Sequence, residues 1–133
     1  MRVKELMSSH IVTVGLDDRL EHVKALFEST RFHHLLVVEG ETLYGVVSDR
    51  DLLRALSPFV GSSVESPRDL GTLNKRVHQV MSRKPITLGP DADVADAMRL
   101  LLDQRISCVP VVDDQFKPIG ILTWRDVLKA VKL

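Results

Sequence analysis

Gly45-Val46-Val47-Ser48-Asp49-Arg50-Asp51 returns 75 residues later as Gly120-Ile121-Leu122-Thr123-Trp124-Arg125-Asp126. In both copies a glycine and two apolar residues run into a hydroxyl, and a guanidinium and a carboxylate follow within one turn. The apolar half reads as a buried strand and the polar half as the start of a helix. Outward from these junctions the likeness continues. Leu53 and Ala55 fall on Leu128 and Ala130, and at an offset of 74 Arg2-Val3 falls on Arg76-Val77, Met7-Ser8 on Met81-Ser82, Thr13 on Thr87, Arg31 on Arg105 and Val37-Val38 on Val111-Val112. Two copies of one supersecondary unit therefore fill the chain. A unit of this size does not readily close its own core, so two copies packed face to face, with a cleft between them, is the simplest expectation.

Each copy opens on a short basic lead with an apolar-patterned turn (residues 3–7 and 77–81), followed by a brief β-prone segment (11–14 and 86–88). Asp17-Asp18 and Pro90-Asp91-Ala92-Asp93 then offer helix N-cap chemistry, and Leu20, Val23, Leu26, Phe27 and Val94, Ala97, Leu100, Leu101 recur at helical spacing behind them. The Val-rich runs 35–38 and 109–112 are too short for helices and read as buried strands. Past the turns at Glu39-Gly40-Glu41 and Asp113-Asp114-Gln115, residues 43–48 and 119–123 read as partner strands, and 49–56 and 124–131 as closing helices. The fold class expected is α/β: two β-α-β-β-α repeats packed as one pseudo-two-fold module, with residues 1–56 as the first repeat, 57–76 as connector and 77–133 as the second. The connector is rich in Pro, Gly and Ser, and Ser66-Pro67 offers a serine N-cap with proline in the first helical position.

With 18 Lys plus Arg against 18 Asp plus Glu, no overall positive field gathers nucleic acid or an anionic membrane. The 44% of hydrophobic residues suffices for a proper core. The single cysteine, Cys108, excludes an internal disulfide and suits a reducing compartment, and it reads as a small buried apolar residue before it reads as a reactive thiol. No signal-type apolar core stands at the N-terminus and no stretch approaches the roughly 18 apolar residues of a membrane span, so a cytoplasmic, membrane-free protein is expected.

Two readings of the junction stay open. A helix start attracts phosphate, a Ser or Thr hydroxyl adds a donor, Arg50 and Arg125 strengthen the preference, and Asp51 and Asp126 suit vicinal ribose hydroxyls. Together these spell ribose-phosphate. On the other reading Ser48 and Thr123 cap helices, and the two aspartates complement the helix dipole.

The tandem β-α-β-β-α pattern and the repeated glycine-apolar-apolar-Ser/Thr-x-x-Asp junction resemble a pair of CBS domains, the regulatory module named after cystathionine β-synthase. The resemblance covers the chain except its connector. It implies two clefts between the repeats for adenosine-containing ligands such as AMP, ADP, ATP or S-adenosylmethionine. Carried over, Ser48 and Asp51 hold ribose and phosphate in the first cleft, with Lys84, Pro85, Ile86 and Ile106-Ser107-Cys108 around the base. Thr123 and Asp126 do so in the second, with His10, Ile11, Val12 and Phe32-His33-His34 around the base. Arg2 and Arg76, just ahead of each repeat, are implied phosphate ligands, with Arg50 and Arg125 near the same groups. The resemblance also implies a homodimer, a disc of two such pairs. Leu36 departs from the pattern, since the second copy has the family-like Val109-Pro110-Val111, so the two pockets need not bind alike.

The histidines do not have zinc-type spacing, and neighbouring strand residues such as His33 and His34 point to opposite faces, so no metal is expected. Stacking on adenine and a plain structural role stay open for them. Trp124 reads either as an exposed contact for a second subunit or as packing. Neither a nucleophile elbow, a Walker loop nor a His-Glu-x-x-His motif is present, and the repeats consume the chain, so the protein is not expected to be an enzyme. The expected function is a regulatory sensor that signals to a partner. A scaffold with empty clefts is the alternative, and nucleic-acid binding is a third reading that the balanced charge disfavours.

Overall fold

The computed structural model describes residues 1–131. In chain order the elements are α1 (Val3–Leu6), β1 (Thr13–Gly15), α2 (Leu20–Ser29), β2 (His34–Glu39), β3 (Thr42–Ser48), α3 (Asp49–Ala55), α4 (Pro67–Gly71), β4 (Ser82–Arg83), α5 (Val94–Asp103), β5 (Cys108–Val112), β6 (Pro118–Thr123) and α6 (Trp124–Ala130), with 3-10 turns at Thr72–Asn74 and Val77–Gln79. The chain is thus mixed α/β, with the β-α-β-β-α order written twice. In the connector Ser66 caps α4 and Pro67 opens it, and the Ser66 hydroxyl accepts from Asp69 N.

The chain divides into two compact units, and their composition is not that of the two repeats. One unit holds Thr13–Gly40 and Tyr44–Arg83; the other holds Met1–Val12, Glu41–Leu43 and the chain from Lys84 onward. The lead of each copy belongs with the body of the other.

In the unit built on repeat one, a four-stranded sheet runs β1-β2-β3-β4. β1 lies parallel to β2 with Val14 opposite Val37, and β4 lies antiparallel to β3 with Ser82 opposite Val46. The unit built on repeat two repeats this arrangement in shorter form. β5 and β6 form an antiparallel pair, Leu88 bridges in parallel to Val111, and Ser8 bridges antiparallel to Ile121. Leu88 and Val111 are the counterparts of Val14 and Val37, and Ser8 and Ile121 those of Ser82 and Val46. Residues 86–88, expected as a strand, contribute only that single bridge, because Pro85 and Pro90 bracket the segment and remove donors from a ladder.

Backbone bonds fasten each lead in the same way. Val3 N donates to Ala92 O (2.8 Å) and Lys4 N to Pro90 O (2.9 Å); Val77 N donates to Asp18 O (2.8 Å) and His78 N to Leu16 O (3.0 Å). The lead crosses its sheet so closely that the strand beneath must be bare. A Cβ on Gly45 would lie 2.7 Å from Ser82 O and 2.8 Å from Met81 Sδ, and one on Gly120 would lie 2.5 Å from Met7 Sδ and 3.0 Å from Ser8 O. These close approaches explain the glycine that opens each junction.

The core of the repeat-two unit joins Val3 of α1, Val94, Ala97 and Leu101 of α5, Val109 and Val111 of β5, Leu122 of β6 and Val127 of α6. The spacing of Val94, Ala97 and Leu101 turns one stripe of α5 onto the sheet. The helix caps differ between copies. Asp93 accepts from Ala95 N and caps α5, whereas α2 begins after Arg19 without a side-chain cap. Asp18 is diverted because its Oδ2 accepts from Gly15 N at 2.7 Å, closing the turn before the helix.

Candidate functional site

The two junctions sit where β3 runs into α3 and β6 into α6. At the first, Ser48 Oγ accepts from Asp51 N (3.0 Å) and Asp51 Oδ2 accepts from Ser48 N (2.9 Å), a reciprocal capping box. At the second, Asp126 Oδ2 accepts from Thr123 N (2.9 Å), and the Thr123 hydroxyl donates to the same oxygen (3.2 Å). In both, one carboxylate oxygen is committed to the cap, and Oδ1 takes no hydrogen bond among the described residues. All four side chains are partly exposed. Capping therefore occurs, and it leaves each aspartate an acceptor for a ligand hydroxyl.

Arg50 and Arg125 are exposed and take no ion pair or hydrogen bond among the described residues. Arg2 and Arg76 are engaged. Arg2 Nη1 donates to Asp91 O (2.8 Å) and Arg76 Nη1 to Asp17 O (2.9 Å), so each guanidinium ties a lead to the turn before a helix and keeps its other donors.

Of the expected base-pocket residues, Phe32, His33 and His34 share a unit with Ser48, Arg50, Asp51 and Arg76. His33 O accepts from Asp49 N (3.0 Å), and His33 Nδ1 donates to Asp49 Oδ2 (2.8 Å), clasping the start of β2 to the start of α3. Burial holds the His34 imidazole below the ordinary histidine value, against the pull of Asp49 and Asp51 and with some help from His33. Burial works to raise the Asp49 carboxyl, but the His33 hydrogen bond, the Arg50 N–H and the charges of His33 and His34 outweigh it, and the net shift is downward. Ser107 and Trp124 occupy the places of His33 and Asp49 in the second copy, so no histidine–carboxylate pair forms between those two positions there.

The other unit gathers Arg2, His10, Ile11, Val12, Lys84, Pro85, Ile86, Ile106, Ser107 and Cys108 with Thr123, Arg125 and Asp126. Cys108 stands opposite Thr123 in the β5–β6 register, which carries the 106–108 segment to the second junction. Cys108 is buried. Lys84 and Arg105 adopt left-handed backbone, with φ 51° at each, a conformation that costs a non-glycine residue about 1 kcal/mol. Among the described residues no group of three or more His, Cys, Asp or Glu could hold a metal ion, and no helix is long and apolar enough to cross a membrane.

The His33–Asp49 clasp and the carbonyl contacts of Arg2 and Arg76 were not read from the sequence. The first needs the β2–β3 hairpin to bring together residues 16 apart, and the second needs the exchange of leads.

The family model for the CBS domain matches residues 3–58 and 77–133. The chain belongs to the CBS-domain family. Two copies of that domain account for nearly all of it. A CBS domain-containing protein of Dictyostelium discoideum is 32% identical over 95% of this chain and 88% of its own length. Other relatives are longer: the inosine-5'-monophosphate dehydrogenase of Methanocaldococcus jannaschii is 27% identical over 98% of this chain, which spans 24% of that enzyme. Among solved structures, CBSX2 in complex with AMP superposes with a TM-score of 0.79 at 29% identity, covering 97% of this chain and 94% of that one. The CBS domain pair of protein MJ0100, in complex with 5-methylthioadenosine and S-adenosyl-L-methionine, shares the fold at a TM-score of 0.79 and 24% identity, covering 97% of this chain and 94% of that one.

Proposed function

We propose that this tandem CBS protein is a non-catalytic regulatory module that binds an adenosine-containing ligand and passes the signal to a separate protein. The observation that carries the reading is the doubled junction, in which Asp51 and Asp126 each spend one carboxylate oxygen on the cap and keep the other. That second oxygen accepts a ribose hydroxyl, and the exposed Arg50 or Arg125 draws in the phosphate. Family membership and the likeness to an AMP complex at 29% identity support an adenine nucleotide, with AMP, ADP and ATP as first candidates and S-adenosylmethionine as the further one.

On this reading the base is enclosed by Lys84, Pro85, Ile86 and Ile106-Ser107-Cys108 at one site and by His10, Ile11, Val12 and Phe32-His33-His34 at the other. Regulation follows from differential affinity: a ligand that prefers one conformation shifts the population toward it by no more than that preference allows. The module acts as a homodimer in a reducing compartment.

Equilibrium dialysis against AMP, ADP, ATP and S-adenosylmethionine tests the reading. Binding to at least one of them, abolished in the Asp51→Ala, Asp126→Ala double variant, is expected. No binding to any of the four overturns it and leaves a scaffold.

A further inference from the structure

Lys84 and Arg105 are exposed cations on left-handed backbone, each with φ 51°. The other non-glycine residue of this kind among the described residues, Phe116 at φ 60°, closes the turn between β5 and β6, where Phe116 N donates to Asp113 O (3.0 Å). Neither cation belongs to a hairpin turn of that sort. Lys84 also precedes Pro85, and a residue before proline is driven toward extended backbone, so its conformation is disfavoured twice. The counterparts in the first copy, His10 and Arg31, do not adopt it. Strain of this kind persists where the surrounding structure imposes it, and it gathers at ligand clamps. Glycine would relieve it at either position, yet a long cationic side chain stands at both.

Both cations stand at the same end of one pair of chain segments. Leu88 bridges in parallel to Val111, with Leu88 N donating to Pro110 O (3.2 Å) and Val112 N to Leu88 O (3.0 Å), so residues 84–87 approach that bridge from the same side as residues 105–110. Lys84 opens the Pro85-Ile86 stretch and Arg105 opens Ile106-Ser107-Cys108, the two stretches proposed above to enclose a base. Among the described residues neither cationic side chain takes a hydrogen bond or an ion pair, and the exposed Asp103, two residues before Arg105, pairs with neither of them.

We infer that Lys84 and Arg105 read the phosphate chain of the ligand at this pocket and give it a preference for a nucleoside di- or triphosphate over the monophosphate. The inference rests on the nucleotide-binding reading above and adds the charge of the ligand to it. A guanidinium at the junction answers one phosphate, and two further exposed cations answer the added charge of a second and a third. Their charge is the reason that the strained positions hold Lys and Arg where glycine would sit without cost. The other proposed pocket, which has His10 and Arg31 on unstrained backbone at these places, lacks the device.

Calorimetric titration of AMP and of ATP, each without divalent cation, into the native chain and into the Lys84→Gly, Arg105→Gly double variant tests this. The native chain is expected to bind ATP roughly tenfold or more tighter than AMP, and the double variant to bring the two within about threefold through loss of ATP affinity alone. Glycine suits left-handed backbone, so the fold is kept, as thermal unfolding checks; asparagine at both positions also tolerates this backbone and should act in the same way. Arg31→Ala, the counterpart change in the first copy, should leave the ratio of the two affinities unaltered. AMP bound by the native chain as tightly as ATP, a ratio that the double variants keep, or a ratio that Arg31→Ala collapses to the same degree overturns the inference and leaves the nucleotide-binding reading standing. A native chain that binds neither nucleotide overturns both.

Discussion

Ser48 and Asp51 hold one another's backbone: the Ser48 hydroxyl accepts from Asp51 N at 3.0 Å while the Asp51 carboxylate accepts from Ser48 N at 2.9 Å. The matching pair in the second copy is not its equal, because the Thr123 hydroxyl donates to the Asp126 carboxylate instead. Losing a hydroxyl that caps a backbone N–H costs about 1 kcal/mol. Ser48→Ala should therefore lower unfolding free energy by about that amount, and Thr123→Ala by less. Urea denaturation of the two variants side by side decides this, and equal losses would contradict the difference described.

Gly45 and Gly120 should tolerate no side chain. A methyl group at either position meets backbone carbonyl and methionine sulfur of the lead that crosses it, at 2.5–3.0 Å across the closest contacts. Overpacking of this kind typically costs 1–3 kcal/mol, so Gly45→Ala and Gly120→Ala should each destabilise by about 2 kcal/mol. Gly40, with open space around it but φ +61°, should lose only about 1 kcal/mol on the same change. Thermal unfolding of the three variants provides the comparison.

The α/β class, the helices α2 and α5, the buried strands β2 and β5 and the capped α4 were all legible because each depends on local chemistry: apolar spacing, β-branched runs and a Ser-Pro start. The doubled junction was legible for the same reason. The exchange of leads was not. It is carried by main-chain bonds such as Val3 N to Ala92 O and Val77 N to Asp18 O, and no side-chain pattern distinguishes an edge segment that pairs with its own copy from one that pairs with the other. Its one trace is the glycine at 45 and 120, whose cause appears only once Met81 and Met7 are seen seated on it. The contact of Arg2 with the Asp91 carbonyl was hidden for that reason too.

Acid should weaken the first junction in two stages. His34 titrates below its ordinary 6.5 when folded, so the unfolded chain binds the proton first; the stability this confers is complete above 6.5 and is lost as pH falls through the folded value. Asp49 is likewise held below its ordinary 3.8, so its contribution persists above that pH and fades beneath it. Unfolding free energy measured from pH 8 to pH 3 should decline below about 6.5 and again below about 4. His34→Gln should flatten the first decline, and a stability that rises on acidification from pH 7 would contradict both assignments.

Leu122, fully buried in the core beneath α5 and α6, anchors the β6 strand that ends at Thr123. Leu122→Ala should cost about 2–5 kcal/mol through lost transfer energy and the cavity left behind. Chemical denaturation checks the size of the loss.

Calorimetric titration of AMP into the native chain, into Asp51→Ala and Asp126→Ala singly, and into the double variant bears most directly on the sensing role. Saturable binding is predicted, weakened at least tenfold by whichever single change removes an occupied ribose acceptor and absent in the double variant. AMP that binds the double variant as tightly as the native protein would show that neither aspartate holds the ligand, and the proposed site would be wrong.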